Sequence, residues 1–199
     1  MTELWRIEND LYDSGEGLIC GVDEAGRGPL AGPVCAAAVI LPRGLDIPGL
    51  DDSKKLTEKR REALYDVITE SAVSYGIAFA DHREIDELNI LNATFLAMNR
   101  AIARLDPKPT LALIDGNTVK GIGCNAKSIV GGDGKSASIA AASILAKVTR
   151  DRLMYRLSEE YPEYGFERHK GYGTKLHYEA LRQYGASPIH RKTFLKKLH

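Results

Sequence analysis

Asp23 and Glu24 stand side by side where an apolar run beginning at Leu18 gives way to Gly26, Arg27 and Gly28. An acid at the end of a buried strand has to be paired, hydrogen-bonded or bound to a cation, because an unpaired buried charge is costly. Adjacent residues of a regular strand face opposite sides, so these two can share a cation only if the backbone turns between or just after them. Gly26 and Gly28 supply a turn, and glycine also lets backbone N–H groups approach a ligand closely, while Arg27 adds a planar positive fork suited to phosphate. The arrangement recurs at Asp115, where a short apolar strand from Thr110 to Ile114 closes on an acid and Gly116. A further acid, Asp133, lies in the loop Gly131–Ser136 ahead of a long helix. Strand carboxyl ends are where ligands gather in open α/β sheets, so these acids can converge there. A ligand set of oxygens, with no Cys or His cluster, suits Mg²⁺ or Mn²⁺ far better than zinc.

Three other readings of the same residues fail on context. Gly26, Gly28 and Ala31 satisfy a dinucleotide-type G-x-G-x-x-A, but that pattern must open a helix, and here Pro33 intervenes and Val34 to Leu41 reads as strand. Gly134, Lys135 and Ser136 end like a P-loop, yet the first glycine of that pattern is replaced by Ile129. Asp151 competes with Asp133, but at ~1.5 Å per residue it lies roughly 22 Å along the helix from Ser136, so the two cannot fill the same place. The loop acid fits the strand ends better, and Asp151 is expected to pair with Arg150, Arg152 or a neighbouring segment.

The elements that must position these residues follow from periodicity and breaks. Residues 1–17 read as a short helix, with Leu4, Ile7 and Leu11 at helical spacing, and a loop. After the two strands, a Gly, Pro and Asp-rich loop ends in Asp52, Ser53, Lys54 and Lys55; Thr57 then caps a helix whose buried face is Leu64, Val67, Ile68 and Ala72. Lysines with a serine beside a helix start make a phosphate contact plausible. Ser74–Ala80 alternates as a third strand, and Leu91, Phe95, Met98, Ile102 and Leu105 mark a core helix with Asn89, Asn92 and Thr94 as caps at its start. Lys127 to Val130 is a last short strand. The helix from Ser136 is dense in Ala and Ser, which permits close packing on the sheet, and Pro162 ends it near Tyr161. His169 to Gly173 reads as an exposed turn whose Tyr172 can stack on a base or sugar, and a final helix runs from Lys175 to Tyr184. This order predicts a mixed sheet flanked by helices on both faces, with the first three strands antiparallel and later ones parallel to the first.

A chain of 199 residues with 44% hydrophobic content fits one domain with a sizeable core, residues 163–199 forming a helical, basic C-terminal extension. No segment is long and apolar enough to be a signal peptide or a membrane span, so a cytoplasmic protein without a membrane partner is expected, with monomer as the default state. Cys20, Cys35 and Cys124 are odd in number and form no C-x-x-C pair, which argues for buried reduced thiols. The net charge is zero, but from Arg168 to His199 eight Lys/Arg face the single acid Glu179, a balance that can follow a phosphate backbone.

The motif VDEAGRGPLAGPV, from Val22 to Val34, closely resembles the opening motif of the ribonuclease HII family. DDSKKL, LNILNATFLAMNRAI, LIDG, GGDGKSASIAAASILAKVTRDR and HKGYGT follow in that family's order and extend the resemblance to Thr174. The resemblance implies a ribonuclease H-like α/β fold and an endonuclease that cuts the RNA strand of RNA–DNA hybrids and single ribonucleotides embedded in duplex DNA. It implies that Asp23, Glu24, Asp115 and Asp133 are the catalytic, metal-binding acids, holding two Mn²⁺ or Mg²⁺ ions, and that cleavage leaves a 5′ phosphate and a 3′ hydroxyl. Gly26, Arg27 and Gly28 would read the 2′-OH, Tyr172 would pack on the sugar after the ribonucleotide, and Arg27, Lys54 and Ser53 would contact the substrate backbone. A non-catalytic nucleic-acid-binding module is the competing class, but binding alone gives no reason for four acids beside a polyanion.

Overall fold

The computed structural model describes residues 3–196. Its centre is a five-stranded sheet of β1 (Ile19–Ala25), β2 (Val34–Ile40), β3 (Ser74–Ala80), β4 (Leu111–Asp115) and β5 (Ala126–Ile129), in the order β3-β2-β1-β4-β5. The β1/β2 and β2/β3 pairs are antiparallel, whereas β1/β4 and β4/β5 are parallel, so the expected mixed sheet is what forms. Every residue of β2 is buried because helices cover both faces. Residue parity separates those faces. Cys20, Val22, Ala36, Ala38, Ala112 and Ile114 pack with α4 (Ile90–Ala103). Cys35, Ala37 and Val39 pack with α2 (Glu58–Ser71) and α5 (Ala137–Glu160), and Ile19, Leu111 and Leu113 meet Ile139 of α5.

Small residues set how close α5 comes. The alanines and serines of its first turns are buried, and Gly21 of β1 lies directly beneath them: a Cβ there would sit 2.1 Å from the Ser138 carbonyl carbon. Gly21→Ala therefore has to push a helix off its sheet, and it is expected to lower the free energy of unfolding by at least the upper part of the about 1–3 kcal/mol typical of overpacking. The midpoint of a urea titration measures this. Glu8 of α1 (Arg6–Asp13) ties the start of α5 from the other side, its Oε1 accepting from Ser136 Oγ at 2.6 Å, Ser138 N at 3.0 Å and Ser138 Oγ at 2.7 Å. An acid at a helix N-terminus also complements the helix dipole.

Several expectations need correction. The short N-terminal helix forms, as α1, but Leu4 lies ahead of it in a 3-10 turn, Glu3–Trp5, and Met1 and Thr2 lie outside the described residues. A separate helix, α3 (His82–Leu88), precedes α4; it opens with a reciprocal capping box in which Asp81 accepts from Glu84 N and Glu84 accepts from Asp81 N. Asn89 at φ 66° breaks the two helices apart and caps α4. Val67 and Leu91, expected on buried helix faces, point outward at 42% and 43% exposure, and Leu91 lies in the first turn of α4. Cys20 and Cys35 are buried, but Cys124 is exposed. No helix among the described residues is long and apolar enough to cross a membrane.

The segment after α5 is not an exposed basic tail throughout. It folds as α6 (Phe166–His169), α7 (Lys175–Tyr184) and α8 (Lys192–Leu195), and His169, read above as part of an exposed turn, is buried with Phe166. Lys197 of the expected basic run lies outside the described residues.

A chain of neutral histidines holds this part together. His177 Nδ1 donates to the Tyr172 carbonyl at 2.9 Å, and His190 Nδ1 accepts from Ser187 N at 2.9 Å. His190 Nε2–H must then donate to His177 Nε2, 2.9 Å away, which leaves no place for an extra proton. Burial pushes the pKa of each down to about 4. Between about pH 6.5 and about 4 the unfolded chain therefore binds protons that the folded chain refuses, so these groups make stability fall as pH falls through that window. Thermal unfolding from pH 7 to pH 4.5 should show the decline, and His190→Asn, which retains an acceptor near the Nδ1 position, should show a flatter one.

Candidate active site

Strand register brings the first two acids together. β1 and β4 are parallel and pair Val22 with Ile114, so Asp23 and Asp115 come next along neighbouring strands, on the α5 face by parity. The 3-10 turn Gly132–Gly134, just ahead of α5, delivers Asp133 to the same face, and Gly132 N donates to Asp115 Oδ1 at 2.7 Å. Oxygens from Asp23, Asp115 and Asp133 all lie within 4.8 Å of one another. Glu24 is not in that trio. The chain stays in β1 until Ala25, so Glu24 leaves from the opposite side of the strand, and its Oε1 meets Arg27 Nη1 at 3.3 Å.

An adjoining open cleft of about 360 Å³ is lined by Asp23, Glu24, Asp115, Gly26, Arg27, Gly28, Ser53, Lys54 and Tyr172, as well as Lys147 and Arg150. Ser53 is buried, and its N–H donates to Ser143 Oγ of α5 at 3.4 Å, which anchors the loop carrying Lys54. Lys54 Nζ reaches Asp133 Oδ2 at 3.0 Å, and this hydrogen bond raises the lysine's pKa. Tyr172 is 45% exposed, and its ring lies 3.3 Å from where a Gly28 Cβ would project. Gly26, at φ +94°, is a position where only glycine fits: a Cβ would lie 1.9 Å from Arg150 Nε.

The electrostatics of the acids are unfavourable without a cation. Burial first, then the charges of Glu24 and Asp115, hold the Asp23 carboxyl well above the usual carboxylate range. Burial also raises Glu24, with Arg27 opposing, and it raises Asp115, with Asp133 adding to the effect. Lys54 offsets one charge of the trio, and the remainder calls for protons or a metal ion. The donors are oxygens only, partly buried yet open to a cleft, and so they fit a hard divalent cation such as Mg²⁺ or Mn²⁺.

Residues not singled out from the sequence complete the surroundings. Lys147 lines the cleft and donates to Asp151 Oδ1 at 2.8 Å, so the partner of Asp151 is Lys147 and not Arg150 or Arg152; its i,i+4 spacing was the available signal. Arg150 and Arg191 are buried and bond main-chain carbonyls, so Arg191, counted above with the phosphate-facing tail, is not at the surface. Nothing in the local sequence marks that role, because both sets of partners are remote in the chain.

Comparison with known proteins agrees with this geometry. The family model described as ribonuclease HII matches residues 20–198. A ribonuclease HII from Clostridioides difficile (strain 630) is 56% identical over 192 residues, covering 96% of this chain and 75% of that protein. One from Endomicrobium trichonymphae is 55% identical over 194 residues, covering 97% and 92%. Among solved structures, the ribonuclease H2 from Pyrococcus horikoshii OT3 superposes with a TM-score of 0.73 at 30% identity, covering 89% of this chain and 93% of that one.

Proposed function

This chain belongs to the ribonuclease HII family and is a metal-dependent endoribonuclease, and from that premise we propose that it cuts the RNA strand of RNA–DNA hybrids and nicks duplex DNA on the 5′ side of a single embedded ribonucleotide, leaving 5′-phosphate and 3′-hydroxyl ends. In this reading residues 1–199 act as one catalytic domain with a basic extension from about residue 163, as a monomer in the cytoplasm. Asp23, Glu24, Asp115 and Asp133 hold two divalent ions, Mg²⁺ or Mn²⁺. Ions held there would supply an activated water and charge stabilisation at the leaving oxygen of an in-line displacement.

The observation that carries the reading is the approach of Asp23, Asp115 and Asp133 oxygens to within 4.8 Å of one another, beside a cleft that also presents Arg27 and Lys54. A site that only bound a polyanion would gain nothing from the acids. The chain's own groups divide the remaining work. Arg27 and Lys54 hold phosphates, and the loop ending in Ser53 supports them. The backbone of Gly26, Arg27 and Gly28 reads the 2′-OH, the group that separates RNA from DNA. Tyr172, whose ring lies against Gly28 at the cleft, packs on the following sugar and marks the RNA-to-DNA junction.

The test is to incubate the protein with a DNA duplex containing one ribonucleotide, with and without Mg²⁺ or Mn²⁺, and map the ends. A metal-dependent nick 5′ of the ribonucleotide, absent from an all-DNA duplex, is expected. Binding without nicking would favour the non-catalytic module, and cutting of the all-DNA duplex would favour a deoxyribonuclease of the same fold.

A further inference from the structure

Two arginines are among the most deeply buried side chains of the protein: Arg191 is 0% exposed and Arg150 1%. Their hydrogen bonds go to main-chain carbonyls. Arg191 Nη2 donates to the Gly26 carbonyl at 2.6 Å, Nη1 to the Arg27 carbonyl at 2.8 Å and Nε to the Gly32 carbonyl at 2.9 Å. Arg150 takes the Pro33 carbonyl at 3.0 Å, the Lys170 carbonyl at 3.0 Å and the Ala31 carbonyl at 3.3 Å. Burying two like charges side by side is expensive, and burial together with Arg150 pushes the Arg191 pKa down to about 9. Core stability is poorly served by that arrangement, which points to a use at the cleft.

Peptide planarity supplies the use. In a trans peptide the C=O of one residue and the N–H of the next point in opposite directions, and the peptides after Gly26 and Arg27 are trans. With both carbonyls drawn inward to Arg191, the N–H groups of Arg27 and Gly28 are turned away from it, and these two residues line the cleft. We infer that Arg191 is a positioning residue for substrate choice: it anchors the Gly26 and Arg27 carbonyls from behind, so that the Arg27 and Gly28 amides face the sugar of the scissile nucleotide. Arg150 braces the same loop further along. The inference rests on the ribonuclease reading above and adds to it the residue that sets the reading surface.

Arg191→Lys keeps the charge but cannot span three carbonyls. On a duplex with one ribonucleotide its kcat/KM should fall on the order of 10²-fold, the scale of a small misplacement of a positioned group. Its affinity for the all-DNA duplex, measured by fluorescence anisotropy without metal, should be unchanged. Wild-type kcat/KM, or a matching loss of affinity for the all-DNA duplex, would overturn the inference. Should the variant fail to fold by circular dichroism, the metal-free wild type decides: the amide NMR signals of Arg27 and Gly28 should shift with the ribonucleotide duplex and not with its all-DNA counterpart, and identical shifts would overturn it. A wild type that never nicks either duplex would strike the ribonuclease reading, while the amide shifts would still judge whether the Arg27 and Gly28 amides held from behind by Arg191 face the sugar.

Discussion

Asp23→Asn is expected to abolish metal-dependent cleavage while leaving the metal-free protein at least as stable as the wild type. The two halves have one cause. Asp23 sits at the end of β1, buried, among carboxylates that hold its own carboxyl well above the usual range, so at neutral pH its charged form works against folding. Asparagine keeps the shape and removes the charge. The loss of activity should exceed the about 10- to 100-fold that follows from losing only a supporting partner of a metal ligand. The pH dependence has a definite sign. As pH falls through the raised pKa, folded Asp23 takes up a proton before the unfolded chain does, so metal-free wild type gains stability from this group, opposite to the effect of His177 and His190. The variant lacks that gain. Single-turnover cleavage and thermal unfolding from pH 7 downward check both halves; undiminished turnover, or a folded state clearly weakened at pH 7, would contradict the assignment.

The second large effect concerns Tyr172. Its ring is exposed at the cleft, and its backbone is fixed from two sides, the N–H donating to the His169 carbonyl at 2.9 Å and the C=O accepting from His177 Nδ1 at 2.9 Å. A pre-positioned aromatic that covers no core is suited to packing on a substrate sugar or base. Removing such a contact is worth about 1–3 kcal/mol, so Tyr172→Ala should cut a single-ribonucleotide duplex roughly 5- to 150-fold less efficiently, with Tyr172→Phe close to wild type. Because the backbone anchors remain, unfolding should be little changed. Equal cleavage by Tyr172→Ala and wild type would remove its junction-reading role.

How far the sequence carried these conclusions depends on whether the relevant contact was local. The strands were legible from their apolar runs, and Asp23 and Asp115 were legible as acids at strand ends, because both signals lie within a few residues. Alternation along β1 explains Glu24: facing the α4 side, it stands outside the close trio, and the turn that would have united it with Asp23 comes only at Gly26. The break between α3 and α4 depends on a positive φ at Asn89 that helical spacing does not reveal. Arg191 was the furthest out of reach. In the sequence it is one more cation in a basic tail, and its burial follows from carbonyls 159 to 165 residues away. His169 was misread for a similar reason, its core being assembled from Phe166, His177 and α7 only after the C-terminal segment folds back.

The central claim is that Asp23, Asp115 and Asp133, with Glu24 beside them, hold divalent cations jointly. Isothermal titration of Mn²⁺ into wild-type protein and into Asp23→Asn at pH 7 tests it most directly. Saturable binding by the wild type and its loss in the variant is the predicted result, whereas equal binding by both would show that the cations sit elsewhere.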